Sequence, residues 1–260
     1  MPVGPTPPEI FQRAVEEGQR RLDQSTLELV STSFIAGFTI VFGMAALGAV
    51  EALVEPQFGD AATVAGALTF GIGVVFLVVG RAELFNENFF DPVATAVDHD
   101  DAWLVGSLVR LWTLTLVFNF VGGGLFSFVV AVDGALPAGS GHALRTVAAR
   151  IAGRTPLTVF ASAIIGGALV SLLSFMLEAV DSVGSQITLA YSVGFLLALG
   201  PFDHVVVTGL HVFLGLLFGA QIELGQLAVV LGVGTAGNVV GGVGLVTLSH
   251  VAQVWGSEVD

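Results

Sequence analysis

Gly200-Pro201-Phe202-Asp203-His204 sits in the middle of an apolar run that extends from Ile187 to Gly219. Such a run is too long for the roughly 20 residues of one bilayer-crossing helix and too short for two crossings joined by a hydrated turn. The same anomaly occurs upstream, where a run from Ala61 to Val97 is interrupted by Arg81-Ala-Glu-Leu-Phe-Asn-Glu-Asn88. Backbone groups freed from a helix at membrane depth must be satisfied by protein or by a water-lined cavity, so a pair of breaks points to a transport pathway.

Outward from these breaks, four ordinary spans are read at about 29–50, 102–132, 157–179 and 224–254, the first ending at Glu51, Glu55 and Pro56. Asn119-Phe-Val-Gly-Gly-Gly in the third span matches Asn238-Val-Val-Gly-Gly-Val in the last at an offset of 119 residues, and Phe85 and His204 in the two breaks share that offset. Three spans per copy is an odd number, so the second copy enters the bilayer inverted and the broken helices are expected to meet near the midplane. The expected organisation is a polar tail or surface helix (1–25), a first three-helix repeat (26–132), an inter-repeat loop (133–156) carrying Arg145, Arg150 and Arg154, a second repeat (157–256) and an acidic end (257–260). The fold class is an all-α membrane protein with six spans in a 3+3 inverted repeat and broken second and fifth helices.

Composition agrees. The chain of 260 residues is 54% hydrophobic and 11% charged, against about 25% charged in ordinary soluble domains. A net charge of −13 argues against nucleic acid as a partner, and the absence of cysteine removes thiol chemistry and disulfides. All eight basic residues are arginine, and with the acidic surplus this resembles the proteins of salt-loving microbes. No cofactor is expected: five scattered histidines lack metal-ligand spacing, and Gly232-Val-Gly-Thr-Ala-Gly opens inside a span rather than after a strand, so neither a metal site nor an enzyme is indicated.

In order and spacing, Arg81-Ala-Glu-Leu-Phe-Asn-Glu-Asn, Gly200-Pro-Phe-Asp-His204 and Gly237-Asn-Val-Val-Gly-Gly resemble segments of the formate/nitrite transporter family, over most of the chain from about Leu27 to Val254. The resemblance implies an aquaporin-like homopentamer in the plasma membrane, one pore per protomer, both termini cytoplasmic, passing formate, nitrite or hydrosulfide or their conjugate acids. It places the central histidine at His204, the second-helix loop at Leu84 and Asn86, apolar constrictions at Phe70 and Leu197 beside Phe202, and the sixth-helix asparagine at Asn238. Departures are Asn86 where the family has threonine, Gly167 where it has a fourth-helix asparagine, and no lysine at the start of that helix, Arg150 and Arg154 being approximate substitutes.

A bare anion crosses an apolar constriction only at a desolvation cost of many kcal/mol, so a titratable group must neutralise it; an imidazole of ordinary pKa ~6.5 at His204 suits the task. Glu83 is expected to pair with Arg81 or to accept backbone N–H bonds, Glu87 to be a pore-mouth charge or internally bonded, and Asp203 either to act on His204 or to point away. Arg110 is expected to pair with an acid or snorkel, and His211 to be a core histidine bonded to a neighbouring helix. Two other readings remain at this stage, a pore for uncharged or cationic solutes, favoured by the acidic residues, and a non-conducting membrane scaffold.

Overall fold

The computed structural model describes residues 4–99 and 103–257. The acidic pair Asp100 and Asp101 and nearly all of the acidic end therefore lie outside the described residues. Among the described residues the chain is helical throughout: α1 (Pro7–Leu22), α2 (Thr26–Phe58), α3 (Ala61–Val79), a short 3-10 turn (Phe85–Phe89), α4 (Asp91–Asp98), α5 (Trp103–Val130), α6 (Ser140–Ala152), α7 (Pro156–Glu178), α8 (Val183–Leu199), α9 (Val205–Leu217), and α10 (Leu224–Val239), which passes through a π-helical Val240–Thr247 into α11 (Leu248–Ser257). Five helical stretches are long and apolar enough to cross a membrane, and α8 with α9 make up the sixth path.

Two local readings change. Pro56 does not end the first span: α2 runs on to Phe58, and its 33 residues, about 50 Å at 1.5 Å each, extend well beyond a ~30 Å hydrocarbon layer into water that can satisfy the carbonyl Pro56 frees. The stretch expected as an inter-repeat loop contains α6, an amphipathic helix burying Ala143, Leu144, Ala148 and Ile151 and exposing Arg145 and Arg150. It corresponds to α1, which buries Ile10, Phe11, Ala14 and Val15. Each repeat thus begins with a surface helix, followed by a hydroxyl cap: Ser25 Oγ accepts from Glu28 N at the start of α2, and Thr155 Oγ1 from Thr158 N at the start of α7.

The inverted repeat is written most clearly in hydrogen bonds. Asn119 Oδ1 accepts from Phe85 N (3.1 Å) while its Nδ2 donates to Ser33 O (2.8 Å) and Glu83 O (2.9 Å). Asn238 Oδ1 accepts from Val205 N (2.8 Å) while its Nδ2 donates to Ala163 O (2.7 Å) and Asp203 O (2.6 Å). Glu83 N donates to Thr32 O, as Asp203 N does to Ser162 O. These bonds equate Phe85 with Val205, Leu84 with His204 and Glu83 with Asp203, a register one residue away from the Phe85–His204 pairing read in the sequence. The asparagines keep the offset of 119; the segment between break and third span differs by one residue.

Close backbone contact makes the clamps possible. A Cβ on Gly37 would overlap the Asn119 carbonyl oxygen, and one on Gly167 would overlap the Asn238 carbonyl oxygen. Across the pseudo-two-fold axis α3 and α8 cross at Gly71, Tyr191 and Gly194. Gly80 and Gly200, where the breaks begin, each lie nine residues beyond that crossing, about 14 Å along antiparallel helices. The two broken helices thus meet at that crossing, while the breaks themselves open toward opposite faces.

Asn238→Ala is expected to lower stability by on the order of 3 kcal/mol, because the buried Val205 N–H and Asp203 carbonyl at the break lose their partner. Thr235→Ala, whose hydroxyl bonds only the Leu231 carbonyl of its own helix, should change it far less. Thermal unfolding of the two variants in detergent measures the difference; equal midpoints would contradict the clamp.

Candidate functional site

At the fifth-helix break α8 stops at Gly200-Pro201 and α9 starts after His204, which is its N-cap. The cap consumes one ring nitrogen: Val206 N donates to His204 Nδ1 at 3.2 Å. Nε2 faces inward, enclosed and without a partner among the described residues. Asp203, next in sequence, turns away from that ring. Both its oxygens meet a single guanidinium nitrogen of Arg154, at 2.7 and 2.8 Å, and Thr208 Oγ1 adds a long bond at 3.5 Å. The pair forms part of the wall of a cavity of about 320 Å³ beside α6, together with Phe70, Leu197, Phe202 and His211.

At the second-helix break the freed carbonyls are met from four helices. Glu87 O accepts from Arg21 Nη1 of α1 and Ser174 Oγ of α7, Asn88 O from Trp112 Nε1 of α5, and Phe89 O from Thr247 Oγ1 in the π-helical turn. That turn brings Gly242 against the Phe89 ring, so the irregular turn in the sixth span fits the irregular turn in the second. A second cavity, about 350 Å³, opens here beneath α1 and shares no lining residue with the first.

The carboxylates of this side are held by α1 rather than by Arg81. Glu83, expected to pair with its near neighbour, instead lies 3.5 Å from Arg20 and 3.6 Å from Arg21 and accepts from Gln24 Nε2 at 3.1 Å. Arg81 is exposed in the left-handed region, with φ of 51°. Arg21 also reaches Asp91 at 3.4 Å and Glu17 at 3.0 Å. Glu87 is buried and lines the cavity, with Oε1 unbonded among the described residues. Burial opposes the charge of Glu17, yet hydrogen bonds and charges from Arg20 and Arg21 prevail and push its carboxyl down to about 2.

Between the cavities lies a dry plug. Phe70, Leu84, Phe85 and Leu197 belong to one continuous buried cluster. Asn86 is wholly enclosed and neither of its amide atoms is bonded among the described residues. Phe202 differs, being half-buried and standing in the wall of the α6-side cavity. Asn238 also differs from the expectation: both its amide hydrogens serve backbone carbonyls, so it holds the break rather than offering a donor to a permeant. Gly167 sits against the Asn238 backbone, where the family's asparagine would collide unless the sixth span moved outward.

Other expectations sort themselves by partner. Arg110 makes no ion pair among the described residues and donates to the carbonyls of Leu22 and Gln24, tying α5 to the end of α1. His250 is half-buried against Phe175, with ring centroids 4.0 Å apart. His211 bonds a carbonyl of its own helix, Val207 O at 3.1 Å, not a neighbouring helix, and its ring faces the cavity. The sequence signal was available, since two turns of helix separate it from His204, but periodicity alone could not say which helix face meets water. No group of three or more potential metal ligands occurs among the described residues.

Two water-facing cavities on opposite ends of a six-span inverted repeat, separated by an apolar plug, define a multi-pass membrane protein of the channel or transporter class. A profile described as formate/nitrite transporter matches residues 8–252, and the chain belongs to that family. Inner membrane protein YfdC of Escherichia coli (strain K12) is 25% identical over 246 residues, which cover 94% of this chain and 78% of that protein. A solved FNT family ion channel superposes with a TM-score of 0.82 at 16% identity, covering 94% of this chain and 98% of that one. A pentameric formate channel with formate bound gives 0.70 at 18% identity, covering 87% and 96%.

Two outcomes follow. Arg154→Ala leaves the Asp203 carboxylate buried and unpaired and should destabilise by on the order of 3 to 5 kcal/mol, whereas Arg154→Ala with Asp203→Ala should recover much of the loss. Thermal unfolding of the single and double variants tests the coupling. Because the Glu17 carboxyl is lowered from 4.5 to about 2 by Arg20 and Arg21 of the same helix, its contribution to the stability of α1 is complete above pH 4.5 and fades as pH falls toward 2. Hydrogen exchange in α1 should accelerate only in that acidic window, and Glu17→Gln should remove the transition.

Proposed function

We propose that this protein is a homopentameric channel of the plasma membrane, termini cytoplasmic, for small monovalent anions of the formate, nitrite or hydrosulfide class. In this reading the permeant crosses the plug as its conjugate acid, with His204 as the proton-exchanging group and one pore in each protomer. The observation that carries it is the tautomer at His204. Its Nδ1 accepts from Val206 N, so in the neutral ring the hydrogen resides on Nε2, an atom that is enclosed and without a partner among the described residues.

Charge and dryness act in sequence. In the α6-side cavity Arg154 spends one nitrogen on Asp203, and its Nε and Nη2 make no hydrogen bond among the described residues, which leaves donors for an arriving anion. Phe70 and Leu197, in the wall of that cavity, belong to the buried apolar cluster that continues past it, where an isolated charge is costly and a neutral acid of the same size is not. In this relay a proton from vestibule water enters the His204 ring as the Nε2 proton passes to the anion, so the ring ends neutral and the neutral acid crosses; loss of that proton to water beyond the plug restores the anion. Asn86 and Leu84 line the far side of this constriction in the proposal, and Glu83 and Glu87 stand at its mouth, their charge offset by Arg20 and Arg21. The related pentameric channel with formate bound supports both the assembly and the permeant class.

Liposomes carrying the full chain should take up formate with accompanying proton movement, faster at acidic pH, and His204→Ala should reduce uptake at least tenfold while the assembly mass stays at five copies of 26.7 kDa. Uptake unchanged in His204→Ala would remove the imidazole from the mechanism. Passage of glycerol, water or ammonia but not formate would replace the anion reading with a neutral-solute pore, and no flux at all would leave a scaffold.

A further inference from the structure

We propose that His211 is a second proton-exchanging group, a fixed acceptor at the vestibule end of the constriction; this rests on the weak-acid reading above. His211 follows His204 by seven residues on α9, two helical turns, so the two rings project from nearly the same helix face about 10 Å apart along the axis. The hydrogen bonds of the two rings differ in sense. His211 Nδ1 lies 3.1 Å from the Val207 carbonyl oxygen, which can only accept, so Nδ1 carries the hydrogen and Nε2 of the neutral ring carries a lone pair. At His204 the backbone N–H of Val206 donates to Nδ1, so Nε2 carries the hydrogen. One helix thus fixes a donor imidazole inside the plug and an acceptor imidazole where the plug meets the cavity.

The surroundings of His211 match that role. The residue is 6% exposed, its Nε2 has no partner among the described residues, and it lines the 320 Å³ cavity. Its ring lies 6.0 Å from that of Phe70, tilted by 30°, so it stands at the apolar constriction and not out in the vestibule. The charged groups facing this cavity are Glu51 from α2, Arg150 and Arg154 from α6 and its end, and Asp203 from the break; Arg154 and Asp203 are paired with each other.

The exchange balances as follows. A neutral acid leaving the constriction gives its proton to Nε2 of His211: the acid's bond to hydrogen breaks, an N–H bond forms, and the anion remains beside the unbonded N–H groups of Arg154. The imidazolium then passes a proton to vestibule water and returns to the acceptor form. In the opposite direction a proton from the vestibule first charges His211, and only then can Nε2 donate to an arriving anion. Uptake from this side therefore follows the charging of His211, and its pH profile depends on that ring.

The test uses liposomes of full-length wild type, His211→Gln and His211→Phe, with formate as the probe and an internal pH indicator. Expected are at least a tenfold loss of formate uptake in both variants and a changed pH profile in the residual flux, with unchanged assembly mass. Uptake and pH profile equal to wild type in His211→Gln would overturn the proposal. Absence of formate uptake by wild type itself would instead overturn the channel reading. Independently of any variant, nitrogen-15 spectra of histidine-labelled wild type should show the neutral His211 ring with its hydrogen on Nδ1 and a shift on adding formate; the hydrogen on Nε2 would overturn the proposal even if the variants fail to fold.

Discussion

Two backbone breaks inside a bilayer must be paid in hydrogen bonds, and two asparagine side chains supply them. Asn119 and Asn238 each bridge three backbone groups: an N–H and a carbonyl at the break, Phe85 and Glu83 or Val205 and Asp203, and one carbonyl of the neighbouring first span, Ser33 or Ala163. Water cannot do this work where lipid excludes it, and an unpartnered amide there costs several kcal/mol. The glycines follow from the asparagines: the first and third spans of each repeat must approach closely enough for one amide to reach both the break and the neighbouring helix. Gly37 and Gly167 are placed where any side chain would push the clamp apart.

With the breaks secured, charge can be placed near them without collapsing the site. The carboxylate that ends each break, Glu83 or Asp203, is met by groups at or before the start of its own repeat's first span: Arg20, Arg21 and Gln24 on one side, Arg154 on the other. Buried carboxylates left alone would be expensive, and the surface helices that deliver these partners are as much part of the site as the spans. The two ends are nevertheless unequal. The α1 side carries the denser cluster of acids, with Glu17, Glu87 and Asp91 around Arg21, whereas the α6 side carries two imidazoles or their immediate neighbours and an arginine with donors to spare. An inverted repeat supplies a symmetric frame; function resides in how the equivalent positions, Leu84 and His204 above all, have diverged.

Overlong apolar runs, their interruption by Arg81–Asn88 and Gly200–His204, and the paired Asn-x-x-Gly-Gly segments were enough to establish six spans, two breaks and an inverted repeat, because helix length and hydrophobic content answer directly to bilayer thickness. The order of those motifs was enough to reveal the family. What the tertiary structure alone decided was the one-residue register that pairs Leu84 with His204, the helical nature of 140–152, the partners of Glu83 and Asp203, and the face on which His211 stands. Each depends on contacts between residues far apart in the chain, such as Gln24 with Glu83 or Arg154 with Asp203. Local periodicity carries no information about which of several possible partners a buried polar group will reach.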